Sequence, residues 1–241
     1  ADSPSKLYIK GCDIRKLVKL PTIAVVGSRR VSAYGRHVTE KLVGELAADG
    51  VVIVSGLALG LDAIAHQAAI DAKGITVAVL PGGIDRVYPR TNVPLARAIV
   101  ASGGCLVSER AGEVSPQKFN FLVRNRLISA LADGVLIPEA AIRSGSLNTT
   151  RHALEQGRTV FAVPGNITNE LSGGTNNLIK LGATPVTCAQ DIYDALGWKL
   201  DKRRSSDVEA YTPAEQTILK ILKKHDSISG DELLNLSKLP H

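Results

Sequence analysis

What most constrains this chain is an alternation: short runs of β-branched and other apolar residues, each followed by one amphipathic stretch at helical spacing. Residues 22–26 read as a strand closed by Gly27, and 37–48 as the next helix, with Val38, Leu42 and Leu46 on one face. The same rhythm predicts strands at 51–54, 75–80, 105–108, 134–137 and 159–163. It predicts helices at 61–72, 95–101, 121–131 and 146–156, then short ones at 176–181 and 191–196. Strands that are apolar throughout, separated by single helices, imply a parallel sheet covered on both faces. Each crossover is then right-handed. The expected core is a doubly wound α/β domain over 22–198.

The flanks read differently. Residues 1–21 form a basic N-terminal extension expected to pack on the core. Residues 199–210 are polar and aperiodic, a linker. Within 211–241, Thr212-Pro213-Ala214-Glu215 has the form of a capping box with Pro at the first helical position. Ile218, Leu219, Ile221 and Leu222 supply its apolar face, and Ser229 with Glu232 repeat the cap before Leu233, Leu234 and Leu236. Two short helices and a tight turn could open a helix-turn-helix, truncated at His241 before a third helix. A packing or dimerisation appendage fits the same residues.

At 241 residues the chain can bury a sizeable core without disulfides or metals. Cys12, Cys105 and Cys188 form no Cys-x-x-Cys pair and read as plain thiols. The five histidines have no ligand-like spacing, so no metal site is expected. No window approaches the ~18 apolar residues of a membrane span. No secretory leader is visible, so the cytoplasm is the default compartment. The chain begins at Ala1 and has no Met, as a trimmed or partial product would. Its charge of +6 is uneven. Residues 1–36 carry eight cations against Asp2 and Asp13, which accounts for the whole excess. That suits a surface facing a polyanion, and equally a solvated face.

In a doubly wound sheet, ligands sit outside the carboxyl ends of the strands. Here those ends are Gly27-Ser28-Arg29-Arg30, Ser55-Gly56-Leu57-Ala58-Leu59-Gly60, Pro81-Gly82-Gly83 and Arg143-Ser144-Gly145-Ser146. Glycine admits close backbone approach, and N–H groups at helix starts bind anions, so four such loops suggest a phosphate-binding crevice. A dinucleotide fingerprint and a Walker motif are both absent, so no nucleotide cofactor is expected. Residues 118–126, Lys-Phe-Asn-Phe-Leu-Val-Arg-Asn-Arg, interleave three cations with two aromatics. Rings stack on unpaired bases while Lys and Arg neutralise phosphates. Phe119 and Phe121 as core residues is the competing reading. Ser144-Gly145-Ser146 is not a nucleophile elbow, and no His is placed to serve it. Asp62 reads as a cap or orienting group, and His66 as structural.

In order along the chain, Ala24-Val-Val-Gly-Ser-Arg29, Tyr34-Gly35, Ser55-Gly-Leu-Ala-Leu-Gly-Leu-Asp-Ala-Ile-Ala-His66, Tyr88-Pro89 with Asn92, Arg124-Asn-Arg126, Ser144-Gly-Ser-Leu147 and Phe161-Ala-Val-Pro-Gly165 resemble the DNA-processing protein A (DprA, or Smf) family. The resemblance implies a Rossmann-like, single-stranded DNA-binding protein that forms homodimers and loads RecA onto incoming DNA in natural transformation. It implies no catalytic residues. Family contacts map to Gly27, Ser28 and Arg29, to Lys118, Phe121, Arg124 and Asn125, and to Ser144, Gly145 and Ser146; Arg126, the last cation of the 118–126 segment, is expected to join them. Arg29, Lys118 and Arg124 would hold phosphates, and Phe121 would stack on a base. The N–H groups of Gly145 and Ser146 would cradle another phosphate. The C-terminal segment resembles the start of a winged helix that ends early. Leu122 stands where many relatives carry Pro. The alternative is a nucleoside-monophosphate phosphoribohydrolase, which shares this sheet. Its Pro-Gly-Gly-x-Gly-Thr-x-x-Glu is not matched at Pro81-Gly82-Gly83-Ile84-Asp85-Arg86.

Overall fold

A computed structural model describes residues 3–199, together with Glu232, Leu236 and Ser237. Apart from Lys199 and those three, the linker expected at 199–210 and the capped helices expected within 211–241 lie outside the described residues. In chain order the elements are β1 (Tyr8–Gly11), α1 (Ile14–Leu17), β2 (Thr22–Val25), α2 (Ala33–Ala48), β3 (Val52–Ser55), α3 (Leu61–Asp71) and β4 (Thr76–Val79). Then come α4 (Val93–Ala101), β5 (Cys105–Ser108), α5 (Lys118–Ala130), β6 (Gly134–Ile137), α6 (Ser146–Glu155), β7 (Thr159–Ala162), α7 (Gly173–Lys180), β8 (Thr184–Pro185) and α8 (Ala189–Leu196).

The strands form one sheet in the order β1-β5-β4-β3-β2-β6-β7-β8. β1 runs antiparallel to β5, and every other pairing is parallel. From β2 the chain steps outward through β3, β4 and β5. It then crosses to the other side of β2 and steps outward again through β6, β7 and β8. The winding direction therefore reverses between β2 and β6, where a doubly wound sheet opens a crevice.

Both faces of the sheet are covered, which is why its strands lack polar alternation. Ala24 and Val26 join Ile14, Leu17, Leu127, Ile128 and Ala153 on one side. Ile23 and Val25 join Leu42, Leu46, Ala65, Ala69 and Ile192 on the other. A third cluster packs Ala96 and Ile99 of α4 on Ala78, Leu80 and Leu106.

Three differences from the sequence expectation have physical causes. The sheet begins at Tyr8 rather than 22, because β1 is a half-exposed edge strand with no apolar signature. Gly11 ends it at φ 114°, and a Cβ there would stand 2.4 Å from the Gly104 carbonyl oxygen. α2 begins at Ala33 rather than 37, because Ser32 caps it and accepts from Gly35 N at 2.9 Å. α5 begins at Lys118 rather than 121, because Gln117 and Asn120 cap each other's backbone, with Gln117 N donating to Asn120 Oδ1 at 2.7 Å. Polar first turns carry no hydrophobic period, so periodicity misses them. The described residues hold no helix long and apolar enough to cross a membrane and no metal-ligating cluster. Cys12, Cys105 and Cys188 are free.

Candidate nucleic-acid interface

The loops after β2 and β6 meet at the winding reversal and, with α5, enclose a crevice of about 500 Å³. One wall is the turn after β2. Gly27 is required there, since a Cβ would lie 2.2 Å from Leu61 Cδ1 and 2.9 Å from the Glu139 carbonyl. Ser28 N donates to that carbonyl at 2.9 Å. The buried Glu139 carboxylate accepts from Ser32 N at 3.0 Å and from Ser32 Oγ. The β2 and β6 loops are thus tied across the reversal.

Ser28 Oγ donates to the Arg30 carbonyl, and the turn leaves Arg29 and Arg30 exposed. The Arg29 guanidinium lies 5.6 Å from the Phe121 ring centroid. Tyr88 meets the same ring edge-on at 5.7 Å. Phe121 is therefore held by a cation and a second ring while staying partly exposed, which suits stacking. Neither Phe119 nor Phe121 joins the core; Phe119 is 54% exposed.

The opposite wall is Ser144, Gly145 and Ser146 at the start of α6. Ser144 Oγ and Ser146 Oγ are 2.7 Å apart. The N-cap of α6, Gly145, brings no side chain, and the first turn is satisfied locally. Ser146 N donates to Ser144 Oγ at 3.4 Å, and Leu147 N and Asn148 N to the Ser144 and Gly145 carbonyls at 3.2 Å, which leaves the Gly145 N–H and the positive end of the helix to an anion. Arg143 lines the same wall. Arg29, Arg30 and Arg143 form no ion pair among the described residues.

The floor holds Arg124, Asn125 and Asp62. Arg124 Nη1 donates to the Gly56 carbonyl at 2.7 Å and to the Val79 carbonyl, and Nε to Asn125 Oδ1 at 3.2 Å. Burial lowers its guanidinium to about 10, still charged at neutral pH. Asp62 accepts from Gly56 N at 3.2 Å and Ala58 N at 3.4 Å. Burial pushes its carboxyl up, against the pull of Arg124 and those two donors.

Nine of the eleven expected contact residues line the crevice: Gly27, Ser28, Arg29, Phe121, Arg124, Asn125, Ser144, Gly145 and Ser146. Lys118 and Arg126 do not. Lys118 is exposed one helical turn before Phe121. Arg126 lies two residues from Arg124, hence on nearly the opposite side of the helix, and pairs with Glu109 at 2.5 Å. Arg124 lies in the crevice, but its guanidinium is turned to carbonyls rather than presented freely to a phosphate. Arg30, Arg143, Tyr88 and Glu139 are site residues that motif and spacing do not single out. Both arginines sit inside loops already picked out by their glycines and could have been found there. Tyr88 and Glu139 act through contacts between distant segments, which spacing does not reveal.

The model of the DNA recombination-mediator protein A family matches residues 1–197. The chain belongs to this family. Its member in Bacillus subtilis strain 168, DNA processing protein DprA, is 45% identical over 195 residues, covering 81% of this chain and 65% of that protein. The chain thus spans slightly under two thirds of that relative. The crystal structure of DprA from Streptococcus pneumoniae superposes with a TM-score of 0.73 at 43% identity, covering 80% of this chain and 67% of that one. DprA from Helicobacter pylori, studied for its single-stranded DNA binding mode, gives 0.72 at 37% identity, covering 80% and 87%.

Proposed function

We propose that this chain binds single-stranded DNA in the crevice between the β2 and β6 loops. It acts as a DprA-type mediator in the cytoplasm, protecting incoming strands and loading RecA as a homodimer in transformation and recombination. The observation that carries the reading is Arg29 at 5.6 Å over the partly exposed Phe121 ring, in a crevice shared with the start of α6. An unpaired base can stack on Phe121, whereas bases in a duplex are already stacked and paired. Arg29, Arg30 and Arg143, with the Gly145 N–H and the Ser144 and Ser146 hydroxyls, would hold the neighbouring phosphates. The single-stranded DNA binding of the Helicobacter pylori relative supports the reading.

The chain is read as no enzyme. The two buried acids beside the crevice are engaged, Asp62 by Gly56 and Ala58, Glu139 by Ser32. Neither stands ready as a general acid or base, and the exposed Glu170 on the crevice wall has no histidine beside it among the lining residues. Fluorescence anisotropy with labelled oligo-dT, competed by duplex of equal length across a salt series, tests the reading. Salt-sensitive binding that prefers the single strand is expected. No binding at low salt would refute it, and release of free base from AMP would turn the assignment to the phosphoribohydrolase class.

A further inference from the structure

Arg124 and Asp62 carry opposite charges on the crevice floor, and both are spent on one loop. Gly56 has its carbonyl held by Arg124 and its N–H by Asp62. A Cβ on Gly56 would stand 2.6 Å from Arg124 Nη2, so a larger residue there would push the guanidinium off its carbonyls. The loop so fixed runs into α3 through Gly60, at φ 86°. A Cβ on Gly60 would lie 2.4 Å from the Ser28 carbonyl oxygen and 2.6 Å from Arg29 Cα. Leu61 N donates to the same Ser28 carbonyl at 3.1 Å. The contacts therefore pass from Arg124 and Asp62, through residues 56–61, to the backbone that carries Arg29.

We infer that Arg124 and Asp62 are positioning residues, which set the Ser28–Arg29 backbone and so aim the Arg29 guanidinium over Phe121. The inference rests on the single-strand site proposed above. Its chemistry is specific. A guanidinium fork can serve two carbonyls in fixed directions, which a lysine ammonium on a flexible stem does not reproduce. Loss of the Asp62 acceptor would leave two N–H groups unsatisfied and the Arg124 charge unopposed in a buried site.

The test is oligo-dT anisotropy across a salt series with the full chain. Wild-type binding comes first: if it fails, the site itself is refuted, and the inference with it. Given wild-type binding, Asp62→Ala is expected to weaken it about tenfold, the scale of one charge-assisted hydrogen bond. The salt slope should fall by about 0.7, one phosphate contact. Arg29→Ala should do the same, and the double variant should lose no more than Arg29→Ala alone. Asp62→Asn removes the same charge but keeps an acceptor, and should recover most of the affinity. Arg124→Lys keeps the charge yet should bind as weakly as Asp62→Ala.

Four results would overturn the inference. Asp62→Ala could bind tighter, as loss of a negative charge near a polyanion site would give on electrostatics alone. The Asp62 and Arg29 effects could add in full. Arg124→Lys could keep wild-type affinity, marking a direct phosphate ligand. Asp62→Ala could lower only the number of competent sites, with affinity and slope unchanged, marking a purely structural role. Should Asp62→Ala not fold, the milder Arg124→Lys and Asp62→Asn decide.

Discussion

The N-terminal stretch 6–19 and the crevice loops are both rich in cations, but the fold uses the charge differently. In the first, Lys10 meets Asp85 at 3.4 Å, Arg15 meets Asp13 at 2.8 Å, and Lys6 sits 4.9 Å from the Tyr8 ring centroid. The apolar residues between them, Ile14 and Leu17, are buried. In the second, Arg29, Arg30 and Arg143 face a crevice with no ion-pair partner among the described residues. Strand order separates Lys6 and Lys10 from the crevice, while Lys16 and Lys19 precede β2 at the end away from its crevice loop. β1 lies four strand spacings from β2, about 19 Å at ~4.8 Å each. That exceeds the ~8 Å screening length at physiological salt. Local charge density thus does not locate a polyanion site; the place where the winding reverses does.

The largest effect expected is on the crevice. Arg29→Ala with Arg143→Ala should weaken oligo-dT binding about a hundredfold at low salt and lower the salt slope by about 1.4, two phosphate contacts. Equal loss from Lys16→Ala with Lys19→Ala would erase the distinction between the regions. Next, Gly11→Ala should cost about 2 kcal/mol or more in urea denaturation, from the positive φ and the contact with Gly104, while the protein that stays folded binds DNA normally. Phe121→Ala should cost about 1–2 kcal/mol of affinity as a lost stacking platform, and Phe121→Tyr should restore most of it.

Acid acts on neither surface region but on the core beneath the crevice. His66 of α3 is fully buried; Thr76 Oγ1 donates to the Ile53 carbonyl and so receives the His66 Nδ1 proton, with Nδ1 and Oγ1 2.6 Å apart. Burial, with Arg124 adding to it, holds the imidazole down at about 3 against an ordinary 6.5. The unfolded chain takes up a proton below about 6.5 that the folded chain refuses. Stability should therefore fall by about 1.4 kcal/mol per pH unit from about 6.5 towards 3. His66→Gln should flatten that slope in denaturant melts at stepped pH. The smallest effect expected is that of Lys16→Ala with Lys19→Ala, less than twofold on DNA affinity.

The residues alone reveal much of this. Apolar runs mark the parallel strands because both faces of the sheet are buried, and glycines mark the loops because backbones pass closely there. Which loops meet is not local: Gly27 and Ser144 are brought together only because β6 inserts beside β2. A cation-rich segment does not show which way its helix turns, so the sequence points Arg126 at the crevice while the fold turns it to Glu109. The Tyr88 contact with Phe121 and the Glu139 hold on Ser32 join segments 33 and 107 residues apart, beyond the reach of any spacing rule.

Hydrogen–deuterium exchange with and without saturating oligo-dT tests the central claim most directly. Slowed exchange is predicted at residues 27–30 and 143–147, with none at 6–19. Protection confined to 6–19, with both crevice loops unchanged, would contradict the account.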